Sequence, residues 1–326
     1  MTLAETASRF RPRITLIDSL RGLALLAMAS YHFTWDLEFF GYIEPGTATT
    51  GWWKFYARCI ASSFLFLAGL SLVLAHYPTI RWRAFWKRFA MVAGAAAAIS
   101  IATFVVTPSE WIFFGILHAI ALGSLIGLAF LRLPPLITAG VAALIVLVFV
   151  IDAHLSASVR SGFFDPRFLA WTGLAETPPR SNDFVPLFPW IAAVLFGVAG
   201  GRIAIARNWL EPLSRVQTRT NLLSLAGRHS LLVYLVHQPV LIAMVYLFSI
   251  IHPPAAMDPV QAYGASCERG CIAEGNEPGL CARFCACTAD ALLDQSLLEP
   301  LQSGRIDAQT DERVQAIAQE CAMTSR

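Results

Sequence analysis

The sequence predicts an all-α membrane protein, a polytopic bundle of about seven or more transmembrane helices with a small cysteine-rich helical tail at its C-terminus. Of its 326 residues, 56% are hydrophobic and only 14% are charged, whereas soluble domains average about 25% charged residues. Apolar segments of membrane-spanning length recur through the first 251 residues. After residue 251 polar residues dominate, and six of the seven cysteines lie there. We therefore predict two domains, 1–251 and 252–326.

Seven apolar segments account for the predicted bundle, and the basic residues between them set its orientation. The segments cover roughly 17–38, 55–76, 89–107, 112–131, 136–153, 187–206 and 229–251. Thirteen Lys and Arg residues fall on the side of the N-terminus, and only Arg160, Arg167 and Arg180 fall in the long loop 154–186 on the other side. The positive-inside rule places the N-terminus in the cytoplasm. Seven crossings then place the tail on the opposite side of the membrane, whereas one crossing more or fewer would place it in the cytoplasm.

The first segment carries an unusual polar stripe. Asp18, Arg21, His32 and Asp36 fall within an arc of about 60° on one helix face, at about 100° per residue. Ionisable residues within a membrane span are costly and mark functional sites by default. Asp18 and Arg21 have an alternative interpretation, as residues that snorkel at the cytoplasmic end. We predict catalytic roles for His32 and Asp36, and substrate binding by Asp18 and Arg21.

Four further residues are candidate substrate ligands, each with a structural alternative. His118 and His237 lie within apolar segments, and His237 precedes Pro239, which cannot donate a backbone hydrogen bond and predicts a break in the last span. Either histidine is equally explained by bonding to a neighbouring helix. Asp183 and Trp190 lie at the end of the long Pro- and aromatic-rich loop. The tryptophan is suited to stacking on a sugar, or to an interfacial aromatic belt.

A basic loop, predicted for TIRWRAFWKRF at 79–89, forms the strongest positive cluster on the cytoplasmic side. Its Arg and Lys side chains are suited to binding phosphates, although positive-inside topology alone also explains them. We predict a phosphate-binding rim for a nucleotide-containing co-substrate. Its residues are Arg81, Arg83, Lys87, Arg88 and, at the start of the last segment, Arg228.

The tail cysteines form two CxxxC pairs separated by nine residues. On a helix, residues i and i+4 share a face, so two antiparallel helices could be joined by Cys267–Cys285 and Cys271–Cys281. Six cysteines allow 15 pairings, and a thiolate metal site is the alternative. We predict disulfides, as suits an oxidising compartment, and no metal. Cys59, alone in the second segment, is predicted to be a packed thiol.

Four motifs in order carry a resemblance to a known family. RITLIDSLRGLALLAMASYHFTWDLEFFG, WIFFGILHAIAL, NDFVPLFPWIAAVLFGVAGGR and GRHSLLVYLVHQPVL resemble segments of bacterial proteins related to the heparan-α-glucosaminide N-acetyltransferase catalytic domain. The resemblance covers about residues 12–250 and excludes the tail. It implies a transmembrane acyltransferase in which cytosolic acetyl-CoA donates an acetyl group to an acceptor on the other face. The resemblance also implies that the family's proposed active histidine maps best onto His32, and that the protein lies in a bacterial inner membrane with its tail in the periplasm.

Two other function classes also fit a polar stripe within a membrane. A proton-coupled secondary transporter would use intramembrane histidines and a Pro-interrupted helix, although the segments show no internal repeat. A membrane sensor would use the cysteine-stapled tail as its binding module. We expect lipid and a small-molecule or glycan acceptor as partners, possibly with homo-oligomers. No nucleic-acid motif is present, and the net charge is only +2.

Overall fold

The computed structural model describes residues 14–155, 159–215, 221–254, 258–273 and 275–325. Within these ranges the chain is helical, with no β-structure beyond two isolated bridges. In chain order the helices are α1 Thr15–Phe39, α2 Gly51–His76, α3 Trp82–Val106, α4 Ile116–Phe130, α5 Pro135–Leu155, α6 Arg167–Ala170, α7 Leu187–Ala206, α8 Leu210–Arg215, α9 Leu222–Arg228, α10 Ser230–Ile251, α11 Pro259–Ala273, α12 Pro278–Asp294, α13 Leu298–Gln302 and α14 Glu312–Thr324.

The predicted polytopic membrane protein is confirmed. Among the described residues, α2, α3, α5, α7 and α10 are long and apolar enough to cross a membrane, and α4 is a shorter apolar helix. With α1, whose 25 residues include the polar stripe, these helices correspond to the seven predicted segments. The orientation in the membrane stays a prediction, and of the basic residues that support it, Arg9, Arg11, Arg13 and Arg219 lie outside the described residues.

Three local predictions need correction. The basic segment at 79–89 is not a loop, because α3 begins at Trp82 and carries the basic residues on its first two turns. Pro239 does not end the last span, since α10 continues from it to Ile251. Cys59 is exposed rather than packed, because the face of α2 that carries it is not covered by the described helices.

Contacts between Cα atoms divide the chain into two compact units. The first contains residues 1–30 and 55–239, and the second contains residues 31–54 and 240–326. The second unit therefore includes the C-terminal half of α1 together with the cysteine-rich tail. The two predicted domains, 1–251 and 252–326, are not the same as these contact-based units, and the boundary at 251 stays a prediction.

Within the first unit, α7 packs against α4 and α5, and α3 packs against α4. Their main core is built from buried residues of α2, α4, α5 and α7, namely Leu65, Ile116, Ala119, Ala142, Ile191, Ala192, Val194 and Leu195. Glycines allow close crossings, as is common between membrane helices. A Cβ atom on Gly69 would lie 2.0 Å from the Val194 carbonyl oxygen, and one on Gly227 would lie 1.7 Å from the carbonyl oxygen of Asp18.

Within the second unit, the tail is a helical module joined by three disulfides. Cys267–Cys285 and Cys271–Cys281 join α11 to α12, which confirms the predicted pairing. A third disulfide, Cys287–Cys321, joins α12 to α14. A small core of Leu292, Leu297, Leu298, Val314 and Ile317 lies between these helices. A module of this size gains much of its stability from such cross-links.

Candidate functional site

The first half of the α1 stripe forms a polar connection to α2. Arg21 donates a hydrogen bond to the Asp18 carboxylate at 2.8 Å and another to Ser71 Oγ at 2.5 Å. Asp18 is buried, with 5% of its surface exposed, and Ser71 is buried as well. Ser71 in turn donates to the carbonyl oxygen of Leu67. The guanidinium is therefore held between two helices. A snorkelling arginine would need only to reach the membrane surface, without a bond to a second helix.

Next to this connection lies a small cavity of about 30 Å³ between α2, α3 and α4. Its polar lining comes from Ser71, His76, Arg88 and Ser124, and the rest is apolar. Among the residues that the structure describes, no carboxylate pairs with Arg88. The cavity thus presents a cation and hydroxyl groups without a balancing acid, which favours an anionic or strongly polar occupant.

His76 was not predicted from the sequence, yet it is a central residue of this cavity. Only 4% of its surface is exposed, and its Nδ1 accepts a hydrogen bond from the backbone N–H of Arg81 at 3.3 Å. A ring nitrogen that accepts in this way leaves the proton of the neutral imidazole on Nε2. The only sequence signal for His76 is its place at the end of an apolar segment, two residues before Pro78.

The other predicted phosphate ligands lie at exposed positions. Arg81, Arg83 and Lys87 are exposed around the start of α3, and Arg228 is exposed in the last turn of α9. The Nε of Arg81 donates to the Ala75 carbonyl oxygen at 2.9 Å. Arg88 differs from the other four because, although exposed, it also lines the cavity.

The second half of the stripe lies in the second unit. His32 is half-buried, and its ring meets Tyr31 edge to face, with the centroids 5.6 Å apart. Asp36 lies one turn further along α1 and is fully buried, with 0% of its surface exposed. Side chains at i and i+4 are neighbours on a helix surface. In hydrolytic triads a carboxylate hydrogen-bonded to the imidazole orients the histidine base, and this role for Asp36 stays a prediction.

His118 is held by the start of α4. Its Nδ1 accepts from the backbone N–H of Gly115 at 3.2 Å, and its Nε2 lies 3.2 Å from Ser100 Oγ. Because Nδ1 accepts, Nε2 carries the proton and donates to Ser100, which donates to the Ile112 carbonyl oxygen at 2.6 Å. Both ring nitrogens are thus engaged in ordering this turn, which supports the structural interpretation of this histidine.

Asp183 caps the same helix from a distance. Its carboxylate accepts from the backbone N–H of Ile116 at 2.8 Å, satisfying one of the unpaired donors at a helix start. A Cβ on Gly115 would lie 2.2 Å from this carboxylate, so glycine permits the approach. Burial raises the pKa of the Asp183 carboxyl to about 6, although the hydrogen bond from Ile116 lowers it.

The remaining two predicted ligands lie among packed helices of the first unit. Trp190 is partly buried against the main core, which favours packing over an open stacking surface. Nδ1 of His237 lies 2.6 Å from the Tyr234 carbonyl oxygen, one turn earlier in α10. Their substrate-binding roles stay predictions. Among the described residues, no group of three or more His, Cys, Asp or Glu side chains is arranged to hold a metal ion.

Comparison with known proteins adds one finding to this geometry. A family model described as heparan-alpha-glucosaminide N-acetyltransferase, catalytic, matches residues 13–239. The matched range begins just before α1 and ends within α10, so it contains all the candidate residues outside the tail. No curated protein and no solved structure matches the chain.

Proposed function

Because the chain belongs to the heparan-alpha-glucosaminide N-acetyltransferase catalytic family, we propose that it transfers an acetyl group from cytosolic acetyl-CoA to an acceptor on the opposite side of the membrane. The acceptor is an amine or hydroxyl of a sugar. The observation that carries the proposal is that the family match spans His32 and the buried Asp36, one turn apart on α1.

In the proposed reaction, His32 is the general base. Its imidazole takes a proton from the acceptor amine or hydroxyl as that group attacks the thioester carbonyl carbon. The carbon–sulfur bond then breaks, and the imidazolium returns the proton to the departing CoA thiolate. Asp36 orients the imidazole and stabilises its cation. Attack by the imidazole itself, giving an acetyl-histidine, is the alternative route to the same products.

Binding of acetyl-CoA is proposed for residues of the first unit. Phosphate groups of acetyl-CoA are suited to the exposed cations Arg81, Arg83, Lys87 and Arg228. Arg88 and the cavity beside it, with Ser71 and His76, offer a more enclosed polar position. The anchored Arg21 is part of the same polar connection.

The experiment that tests this function uses the purified full-length protein in detergent. Thiol release from acetyl-CoA is measured with a panel of amino sugars and neutral sugars, and acetyl-pantetheine serves as a donor that lacks all the phosphates. We expect acceptor-dependent thiol release and a higher KM for acetyl-pantetheine. Folded protein that neither binds acetyl-CoA nor releases its thiol would contradict the proposal.

Replacement of Arg88 sharpens the donor assignment. Arg88→Gln is expected to raise the KM for acetyl-CoA while leaving that for acetyl-pantetheine unchanged. Arg132→Gln is the matched control, because Arg132 is also exposed but lies beyond the end of α4, away from the cavity. Equal effects of Arg88→Gln on both donors would contradict a phosphate contact.

A further inference from the structure

The cysteine-rich tail lies outside the family match, which ends at residue 239, so the family gives it no role. In the structure the tail belongs to the same compact unit as residues 31–54. That segment contains His32 and Asp36 and the loop that follows α1. The contacts within this unit indicate what the tail does.

The loop at residues 41–50, here called the α1–α2 loop, is fastened to the end of α1. Gly41, with φ +80°, ends the helix, and the backbone N–H of Tyr42 returns to the Leu37 carbonyl oxygen at 2.8 Å. Glu38 holds the middle of the loop, because its carboxylate accepts from the backbone N–H groups of Gly46 and Ala48, the latter at 2.8 Å. Glu38 follows the buried Asp36 by two residues, so the loop is hydrogen-bonded to the helical turn next to the candidate catalytic residue.

The tail contacts this loop near its own start, where the Tyr42 hydroxyl donates to the His252 carbonyl oxygen, and again through Arg269 of α11. A Cβ atom on Gly46 would lie 2.7 Å from Arg269 Nε and 2.9 Å from its Cδ, so the arginine side chain lies directly on this glycine. Gly46 also has φ +84°, a backbone conformation that other residues rarely adopt. Glycine is therefore required here both by the turn and by the arginine.

The disulfides fix the helical turn that carries Arg269. Cys267 and Cys271 flank the arginine in α11, and each is bonded to α12, with Cα atoms 5.7 Å apart in both pairs. The partner cysteines in α12, Cys281 and Cys285, are fully buried. The two staples therefore fix the position of Arg269 more directly than Cys287–Cys321 does.

We propose that the stapled α11–α12 hairpin clamps the α1–α2 loop through Arg269, and so positions the acceptor side of the transferase site at His32 and Asp36. Arg269 is a positioning residue and takes no part in the chemistry. This inference rests on the proposed function for its effect on catalysis, whereas the clamp itself is a structural claim that can be tested separately. It gives the oxidised tail a role in acceptor use.

The test combines hydrogen exchange with acetyl transfer in the full-length protein. The variants are Arg269→Ala, Gly46→Ala and a four-alanine variant at Cys267, Cys271, Cys281 and Cys285. The controls are Arg305→Ala, which removes an exposed tail arginine paired with Glu299, and alanine at Cys287 and Cys321. Backbone exchange is measured across 41–50, and KM is measured for acetyl-CoA and for glucosamine as the acceptor probe.

We expect all three clamp variants to lose exchange protection in the α1–α2 loop and the controls to keep it. The acceptor KM should rise about tenfold or more with the donor KM unchanged, because small misplacements of reacting groups are costly. Arg269→Lys, which keeps the long stem, should restore part of the loss. Unchanged protection of residues 41–50 in Arg269→Ala would overturn the clamp. If the clamp variants lose exchange protection but the wild-type protein transfers no acetyl group, the clamp stands and the proposed function is contradicted.

Discussion

Two histidine–carboxylate sets differ in how the fold uses the same residue types. His118 and Asp183 both bond to the backbone at the start of α4, where Gly115 and Ile116 supply N–H groups. His32 and Asp36 instead lie one turn apart in the C-terminal half of the 25-residue helix α1, and Asp36 is fully buried. The comparison teaches that an intramembrane histidine indicates chemistry only when helix-end geometry does not already account for both ring nitrogens.

Replacing His32 should separate the two sets most strongly. His32→Ala is expected to lower the rate of acetyl transfer by roughly 10²–10⁴-fold, the usual contribution of a general base. Thiol release from acetyl-CoA in the presence of acceptor measures the effect at equal concentrations of folded protein. His154→Ala, at an exposed position near the end of α5, is the control. Transfer at wild-type rates by His32→Ala would remove this residue from the site.

Replacing Asp36 should lower kcat through its effect on His32. Asp36→Asn keeps the shape but removes the charge that stabilises the imidazolium, so we expect a loss on the order of 10²-fold in kcat with little change in donor KM. The pH profile of kcat should shift as well, because the imidazolium formed in the proposed reaction would no longer have a carboxylate to stabilise it. A reduced protein yield with an unchanged profile would indicate a purely structural carboxylate.

His118 should behave as a structural residue. His118→Ala removes the side chain that accepts from Gly115 and donates to Ser100, and loss of a helix cap costs about 0.5–2 kcal/mol. A loss of stability of this size is common for single mutations, so we expect a lower unfolding temperature. We expect kcat per folded molecule to stay within about threefold of wild type. A loss of transfer without a loss of stability would show instead that His118 contacts a substrate.

Asp183 gives the smallest effect, and it depends on pH. Folding raises the pKa of its carboxyl from 3.8 to about 6, so between these values the folded protein holds a proton that the unfolded chain has released. Its contribution to stability therefore falls as the pH rises from about 4 to 6. Asp183→Asn, which keeps an acceptor for Ile116, should match wild type near pH 4.5 and equal or exceed its unfolding temperature at pH 8. A lower unfolding temperature at pH 8 would contradict this account.

The sequence predicted which segments form helices better than it predicted the residues at which those helices begin. Apolar runs identified six long helices and the shorter apolar α4, because burial or lipid exposure of a whole segment leaves a strong hydropathy signal. The start of α3 was placed seven residues late, at 89 instead of 82, because Arg83, Lys87 and Arg88 interrupt the apolar run without interrupting the helix. Charged residues at a membrane surface are compatible with a loop and equally with the first turns of a helix.

For the tail, the local spacing of cysteines predicted two disulfides, but contacts between distant segments could not be predicted from spacing. The i and i+4 cysteines of two helices predicted both bonds of the α11–α12 hairpin. Cys287–Cys321 spans 34 residues and depends on how α14 packs, which no spacing encodes. The contact of Arg269 with Gly46 joins residues more than two hundred positions apart, and nothing in either segment marks the other.

For the site, the sequence identified the α1 stripe but did not separate roles within it. Arg21 was an equally good candidate for snorkelling, and only its bond to Ser71 shows that it connects two helices. His76 was missed because a histidine at the end of a span resembles an ordinary interfacial residue. Its importance comes from the cavity that Ser71, Arg88 and Ser124 complete, and a cavity is a property of packing.

The most direct test of the central claim places the two histidine variants side by side in one assay. Acetylation of the acceptor and thiol release from acetyl-CoA are measured together for His32→Ala and His118→Ala, each normalised to folded protein. The account predicts that His32→Ala loses both products and His118→Ala retains both. The reverse pattern would contradict the assignment of the reacting pair to α1 and would move the chemistry to the start of α4.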